Sequence, residues 1–178
     1  LNTLGIACGA CGRTEDAGAA FRRALRERPA YADALCNLGI ALRRLGRFDE
    51  AAGALRRAVA LAPESLEARV NLGKALVEGG DPEAARASLE ETVARFPASA
   101  VAHDTLGIAL QAGGRLDEAI GAFRAAIAIE PRDPDARNNL GIALRLEGRD
   151  AEAAASFRDA LALEPGNVLV ENNLGLAL

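Results

Sequence analysis

The chain has 178 residues, half of them apolar and 26% charged, and 21 basic against 25 acidic side chains give a formal net charge of −4. That length allows one domain of ordinary size with a self-sufficient core, and the balance excludes both a disordered chain and a general polyanion binder. Aromatic residues make up only 3% and His103 is the single histidine, which argues against base-stacking platforms, multi-histidine metal sites and a histidine-based catalytic triad. No apolar run approaches the roughly 20 residues that cross a bilayer. Nucleic acid, membrane and cofactor are therefore not expected as partners, and no catalytic set is expected within these residues.

Leu1 to Ala10 is apolar enough to resemble a trimmed signal, but Leu4-Gly5-Ile6-Ala7 returns in register as Leu38-Gly39-Ile40-Ala41, so this segment belongs to the fold. Leu-Gly pairs recur at Leu4-Gly5, Leu38-Gly39, Leu72-Gly73, Leu106-Gly107, Leu140-Gly141 and Leu174-Gly175, each 34 residues after the last. A fixed period of this size decides an architecture before any motif does. Within each unit the apolar spacing follows the three-and-four rhythm of helices, as in the stripe Leu38, Ala41, Leu42, Leu45. The first predicted helix ends at Gly12, Gly46, Gly80, Gly114 and Gly148, where the left-handed conformation can close it. Thr14, Asp49, Asp81, Asp117 and Asp150 are expected to cap the second helix, with the pairs Asp49-Glu50 and Asp117-Glu118 read as capping groups, not as an acid and base. That helix carries Ala17, Ala51, Ala85, Ala119 and Ala153, then a large residue at Phe21, Leu55, Leu89, Phe123 and Phe157. Proline closes each unit at Pro29, Pro63, Pro97, Pro131 and Pro165. Glycine inside a helix is disfavoured by about 1 kcal/mol against alanine, which makes sense where two backbones approach closely.

Leu-Gly, then Gly, then Ala-x-x-x-Phe, then Ala and Pro with a period of 34 resembles the tetratricopeptide repeat (TPR) family over essentially the full chain. The resemblance implies an all-α fold, an alpha-alpha superhelix of about five helix-turn-helix repeats plus a terminal helix. The repeats are read as one solenoid covering residues 1–31, 32–65, 66–99, 100–133, 134–167 and a partial 168–178. The departures are Leu1, Leu35, Arg69, His103, Arg137 and Glu171, where a bulky aromatic is common, and Thr92 at a small position. The chain starts without Met and stops partway through a unit, and is expected to be part of a longer protein. Its last helix should leave Leu174 and Leu178 bare, so end-to-end self-association is also expected.

The resemblance implies that first helices line a concave groove that holds a ligand. Two residues before each Leu-Gly glycine, Thr3, Asn37, Asn71, Thr105, Asn139 and Asn173 form a polar ladder, with Asn138 and Asp104 beside it. An asparagine donates and accepts at once, so a row of them can grip the amides of an extended peptide whatever its side chains. Such ladders are similar to those in the repeat arm of O-GlcNAc transferases. Lys74, the only lysine, with Arg43 and Arg145, predicts a mildly basic groove suited to acidic side chains or a carboxylate, offset by Asp104. Asp33, Glu67 and Asp135 are read as partners of the helix dipole. Cys8, Cys11 and Cys36 are read as structural thiols of a reducing compartment. The chain thus reads as a noncatalytic module binding a peptide or partner protein. The alternatives are the substrate-recruiting arm of a larger glycosyltransferase or sulfotransferase, or a self-assembling scaffold. Twenty arginines to one lysine point to a GC-rich, bacterial source, and the three cysteines make the cytoplasm the expected compartment.

Overall fold

The computed structural model describes all 178 residues. It contains α1 (Asn2–Ala10), α2 (Thr14–Glu27), α3 (Ala32–Arg44), α4 (Phe48–Leu61), α5 (Leu66–Glu78), α6 (Pro82–Arg95), α7 (Ala100–Ala112), α8 (Leu116–Ile129), α9 (Pro134–Leu146), α10 (Asp150–Leu163) and α11 (Val168–Leu176), with no strand. Odd-numbered elements are the first helices of successive repeats and even-numbered elements the second. The chain divides into two compact units, Leu1–Ser88 and Leu89–Leu178, the division falling within α6.

In the first unit α2 packs between α1 and α3, and α4 between α3 and α5. First helices also touch one another, α1 against α3 and α3 against α5, whereas α2 and α4 make no comparable contact. The second unit follows the same rule, with α8 between α7 and α9, α10 between α9 and α11, and α7 against α9. In each unit the first helices are therefore the crowded, inner side. Phe21, Leu35, Leu42, Leu55 and Leu76 form the core of the first unit, and Ile120, Phe123, Leu144 and Phe157 that of the second.

The Leu-Gly glycine is what lets the two helices of a repeat meet. A Cβ at Gly107 or Gly141 would stand 2.5 Å from the ring of Phe123 or Phe157. At Gly39 it would collide with the Leu55 side chain, and at Gly5 with Phe21. The alanines one turn before those large residues, Ala17, Ala51, Ala119 and Ala153, are at most 1% exposed. Thr92 is also fully buried, so the polar substitution at that small position is accommodated.

The first helices α1, α3, α5, α7 and α9 end as expected, in a left-handed glycine: Gly46 has φ of 72° and Gly114 of 74°. Arg47 N–H then bonds back to the Leu42 carbonyl at 2.9 Å and Gly46 N–H to the Arg43 carbonyl at 3.0 Å, so two end carbonyls are satisfied by the turn itself.

The starts of the second helices correct the capping expectation. Only Asp81 caps, accepting from Ala84 N–H at 3.0 Å. In α2, α4, α8 and α10 the cap position is Arg13, Arg47, Arg115 or Arg149, and no side chain accepts there. Thr14, Asp49, Asp117 and Asp150 lie one residue or more inside the helix, too late to reach back to its free N–H groups. Instead the arginine reaches forward to an acid three residues on, Asp16, Glu50, Glu118 or Glu152. Hydrogen bonds from Arg149 hold the Glu152 carboxyl below its ordinary range. True caps instead open first helices, at Ser65, Ser99, Asp133 and Asn167. At the end of the chain Leu178 is 83% exposed, but Leu174 packs against the second unit's core and is not bare.

These contacts separate two kinds of helical glycine. Gly39→Ala is expected to lower stability by about 1–2 kcal/mol, because overpacking against Leu55 outweighs about 1 kcal/mol of helix propensity. Gly53→Ala, at a site with nothing within 4 Å of the new methyl, should raise stability by about 0.5–1 kcal/mol. Urea unfolding midpoints of the two variants check both signs.

Candidate functional site

Neighbouring first helices are tied by side chains 35 residues apart. In the first unit Asn37 Nδ2 donates to Asn2 Oδ1 at 3.3 Å, and Asn2 Nδ2 donates to the Tyr31 hydroxyl at 3.3 Å. In the second, Asn139 Nδ2 donates to Asp104 Oδ1 and Asn173 Nδ2 to Asn138 Oδ1, both at 2.9 Å. The same offset pairs Arg43 with Glu78. A first helix thus sets each rung against the residue one position earlier in the preceding repeat. Asn37, Asn138, Asn139 and Asn173 are all half-buried there.

Two rungs behave differently. Asn71 donates to the Glu67 carbonyl of its own helix at 2.9 Å, since the residue 35 positions before it is Cys36, which has no oxygen to offer. Thr105 is fully buried and its hydroxyl donates to the Val101 carbonyl at 2.7 Å. This corrects its expected place as a surface contact: threonine is short enough to close on its own backbone and sink into the packing.

The basic residues are not massed on this face. Arg43 is neutralised by Glu78, while its Nε, like that of Arg145, is buried without a partner. Lys74 is half-buried in the register otherwise held by Ile6, Ile40, Ile108 and Ile142. In the first unit a cleft of about 260 Å³ opens between first helices, lined among others by Asn2, Asn37, Cys36, Asp33, Ser65 and Glu67. A more apolar cleft of about 320 Å³ adjoins it, with Ile6, Phe21, Asn37 and Ile40 in its wall. The sequence pattern assigns Asp33 and Glu67 to the helix dipole, and their common 34-residue register is its only signal that they share a surface. Nothing in the sequence singles out Asn2 and Tyr31, because their role depends on contact between repeats.

Where a bulky aromatic is absent, polar side chains tie down the preceding turn. Arg69 Nε donates to the Pro63 carbonyl at 2.7 Å and His103 Nε2 to the Pro97 carbonyl at 3.1 Å. Both bonds reach back to the proline closing the previous repeat.

Models of the tetratricopeptide repeat match residues 4–65 and 105–168, and 42–107. The chain belongs to the tetratricopeptide repeat family. Its fold is similar to that of MamA (residues 41 to the end) from Desulfovibrio magneticus RS-1, 25% identical, with 93% of each chain covered and a TM-score of 0.80. It is also similar to TTC0263, a thermophilic TPR protein of Thermus thermophilus, 27% identical over 99% of this chain and 96% of that one, with a TM-score of 0.81. YrrB, described as a TPR protein with an unusual peptide-binding site, is 23% identical over 96% of this chain and 88% of its own, with a TM-score of 0.73, a likeness of fold alone. No curated protein matches the sequence. No helix is long and apolar enough to cross a membrane.

Among the three free thiols of this TPR chain, Cys11 is exposed, Cys8 half-buried and Cys36 buried. Burial, reinforced by the charges of Glu67 and Asp33, pushes the Cys36 thiol up to about 12. A thiol raised in the folded state leaves the unfolded chain holding fewer protons above its ordinary pKa, so stability is complete below about pH 9 and declines as pH rises toward 12, by about 1.4 kcal/mol per unit. Cys36→Ala should remove this alkaline slope from denaturant-unfolding curves measured across that range.

Proposed function

We propose that this TPR chain is a protein-interaction module that holds an extended segment of a partner protein along the inner faces of its first helices. The observation that carries this reading is the anchoring of the ladder. Asn37, Asn139 and Asn173 each commit one N–H to the neighbouring repeat, which leaves a second N–H and a carbonyl oxygen on each of these three rungs. An amide fixed by such a bond has already lost its rotamer freedom, so binding costs less conformational entropy than it would with a free side chain. An extended backbone presents N–H and C=O groups in alternation, and each rung can take either or both. First helices about 8–10 Å apart meet a strand advancing about 3.3 Å per residue at roughly every third position. Main-chain recognition of this kind tolerates many sequences, and side-chain selectivity falls to the residues around the ladder. Arg145, with its unpartnered Nε, and Lys74 are candidates for that second role.

Affinity for a peptide selected from an unbiased library tests the proposal. Asn37→Ala combined with Asn139→Ala is expected to weaken binding at least about tenfold, the loss of one or two good hydrogen bonds, at unchanged helical content. Arg158→Ala, an exposed change on α10, should have no effect. Unaltered affinity in the double variant would remove the ladder from the binding surface.

A further inference from the structure

We infer that the apolar cleft between α1 and α3 is a subsite for a large uncharged side chain of the bound polypeptide, of leucine or phenylalanine type. This rests on the reading of the inner face as a polypeptide-binding surface and goes past it by fixing the chemistry of one ligand residue. At about 320 Å³ the cleft sits at the lower end of the roughly 300–1,000 Å³ of ligand pockets and suits one side chain, not a whole segment.

The cleft exists because one side chain is missing. Between α3 and α5 the corresponding crevice is strapped by Arg43, which reaches across to Glu78, 35 residues on, and packs its Nε out of solvent. Arg145 on α9 likewise has a buried Nε. The position equivalent to both on α1 is Gly9, followed by Ala10. Helix α1 therefore sends no side chain across at this level, and the crevice stays open down to Ala17 and Phe21 on α2.

Three features select what fills it. The floor, Ala17 and Phe21, is buried and apolar, and the walls are Ile40 and Ile6, the latter 51% exposed, so an apolar side chain laid between them removes that surface from water. Arg44, the one charged lining residue, stands 35 positions after Gly9, the offset at which Glu78 faces Arg43. A lysine or arginine entering as Arg43 does would meet a cation there, with no carboxylate in the lining to offset it. A carboxylate would be drawn to Arg44 but would lose its water against the apolar floor. Asn37 lines the same cleft and is tied to Asn2, so a ligand backbone held by its remaining groups runs at the cleft mouth. Alternate side chains of an extended ligand face the protein, and the one beside the bonded amide falls between the two isoleucines.

The test uses the whole chain with 13C-labelled isoleucine methyls and four short end-blocked peptides of serine and alanine that differ only in a central leucine, alanine, lysine or glutamate. The leucine peptide is expected to bind about five- to tenfold tighter than the alanine one, the effect of burying its extra methyl and methylene groups, and tighter than both charged ones. Its shifts should centre on Ile6 and Ile40 and leave Ile108 and Ile142 unmoved. Gly9→Leu is the deciding variant. A Cβ at Gly9 meets only the Ala17 methyl, at 3.9 Å, α5 carries Val77 in that register, and leucine is the better helix former. The variant should therefore fold at least as stably while its own side chain fills the cleft, and the leucine preference should vanish. Ile6→Ala, at an exposed site, gives a second, milder variant that lowers the preference about twofold, and thermal midpoints verify folding of both. The library-selected peptide should also bind Gly9→Leu about tenfold more weakly. Unchanged affinity for that peptide, a leucine preference that survives in Gly9→Leu, or leucine-dependent shifts on Ile108 and Ile142 would each refute the subsite. Equal binding of all four peptides, with loss in Asn37→Ala, would refute it and leave the inner-face reading intact. If neither these peptides nor the library-selected one binds, both readings fall together.

Discussion

A helix that lacks a Cβ at one position can accept a whole ring or branched side chain against its backbone, and in each repeat that position is the glycine after the recurring leucine. Gly107 and Gly141 lie so close to Phe123 and Phe157 that an added methyl would stand 2.5 Å away. The second helix is drawn in at that point and Ala119 or Ala153, with 0% exposure, completes the contact one turn earlier. The small-against-large contact fixes how near the two helices of a repeat can come. Because it recurs at the same register, each second helix then offers the next first helix a surface of the same shape. The polar arrangement on the inner face is downstream of that geometry.

One consequence is the offset of 35 in the side-chain ties. A repeat of 34 residues would place identical positions side by side if neighbouring helices were in perfect register. The ties run instead from Asn37 to Asn2, from Asn139 to Asp104, from Asn173 to Asn138 and from Arg43 to Glu78, so within each unit a first helix meets its predecessor one residue out of step. Whether a rung is anchored therefore depends on the residue preceding the rung before it. Asn2, Asp104 and Asn138 supply an oxygen, while Cys36 does not, and Asn71 turns back to its own helix. Three rungs of the ladder are paired across repeats, Asn71 bonds to its own helix and Thr105 closes on its own backbone.

Charge follows the same logic of local substitution. At α2, α4, α8 and α10 the arginine at the cap position grips an acid one turn on, a link between exposed groups that contributes little to stability. At the inner face of the first unit Arg43 meets Glu78, and Asp33 and Glu67 remain, so a surface expected to be mildly basic presents an acidic cleft. Arg69 and His103 fill aromatic positions by bonding to the Pro63 and Pro97 carbonyls, which preserves the anchorage of the turn by different chemistry.

The period, the helix pairs and the glycine turns were legible in the sequence because each is set within one repeat, by residues near one another along the chain or by their fixed spacing, whereas the helical glycines, read there as close approaches of two backbones, receive a large side chain instead. Gly46 needs a positive φ whatever surrounds it, and Ala51 and Leu55 recur at one spacing because one packing solution is repeated. The family resemblance followed from that regularity. What only the tertiary structure decided was the state of each polar side chain: Thr105 closed on Val101, Asp49 and Asp117 lying past the cap, Asn37 tied to Asn2, and Asp33 brought with Glu67 to one cleft. Those outcomes depend on which atoms a neighbouring repeat places within about 3 Å, and a displacement of one residue between adjacent helices changes the partner without altering the period that the sequence displays.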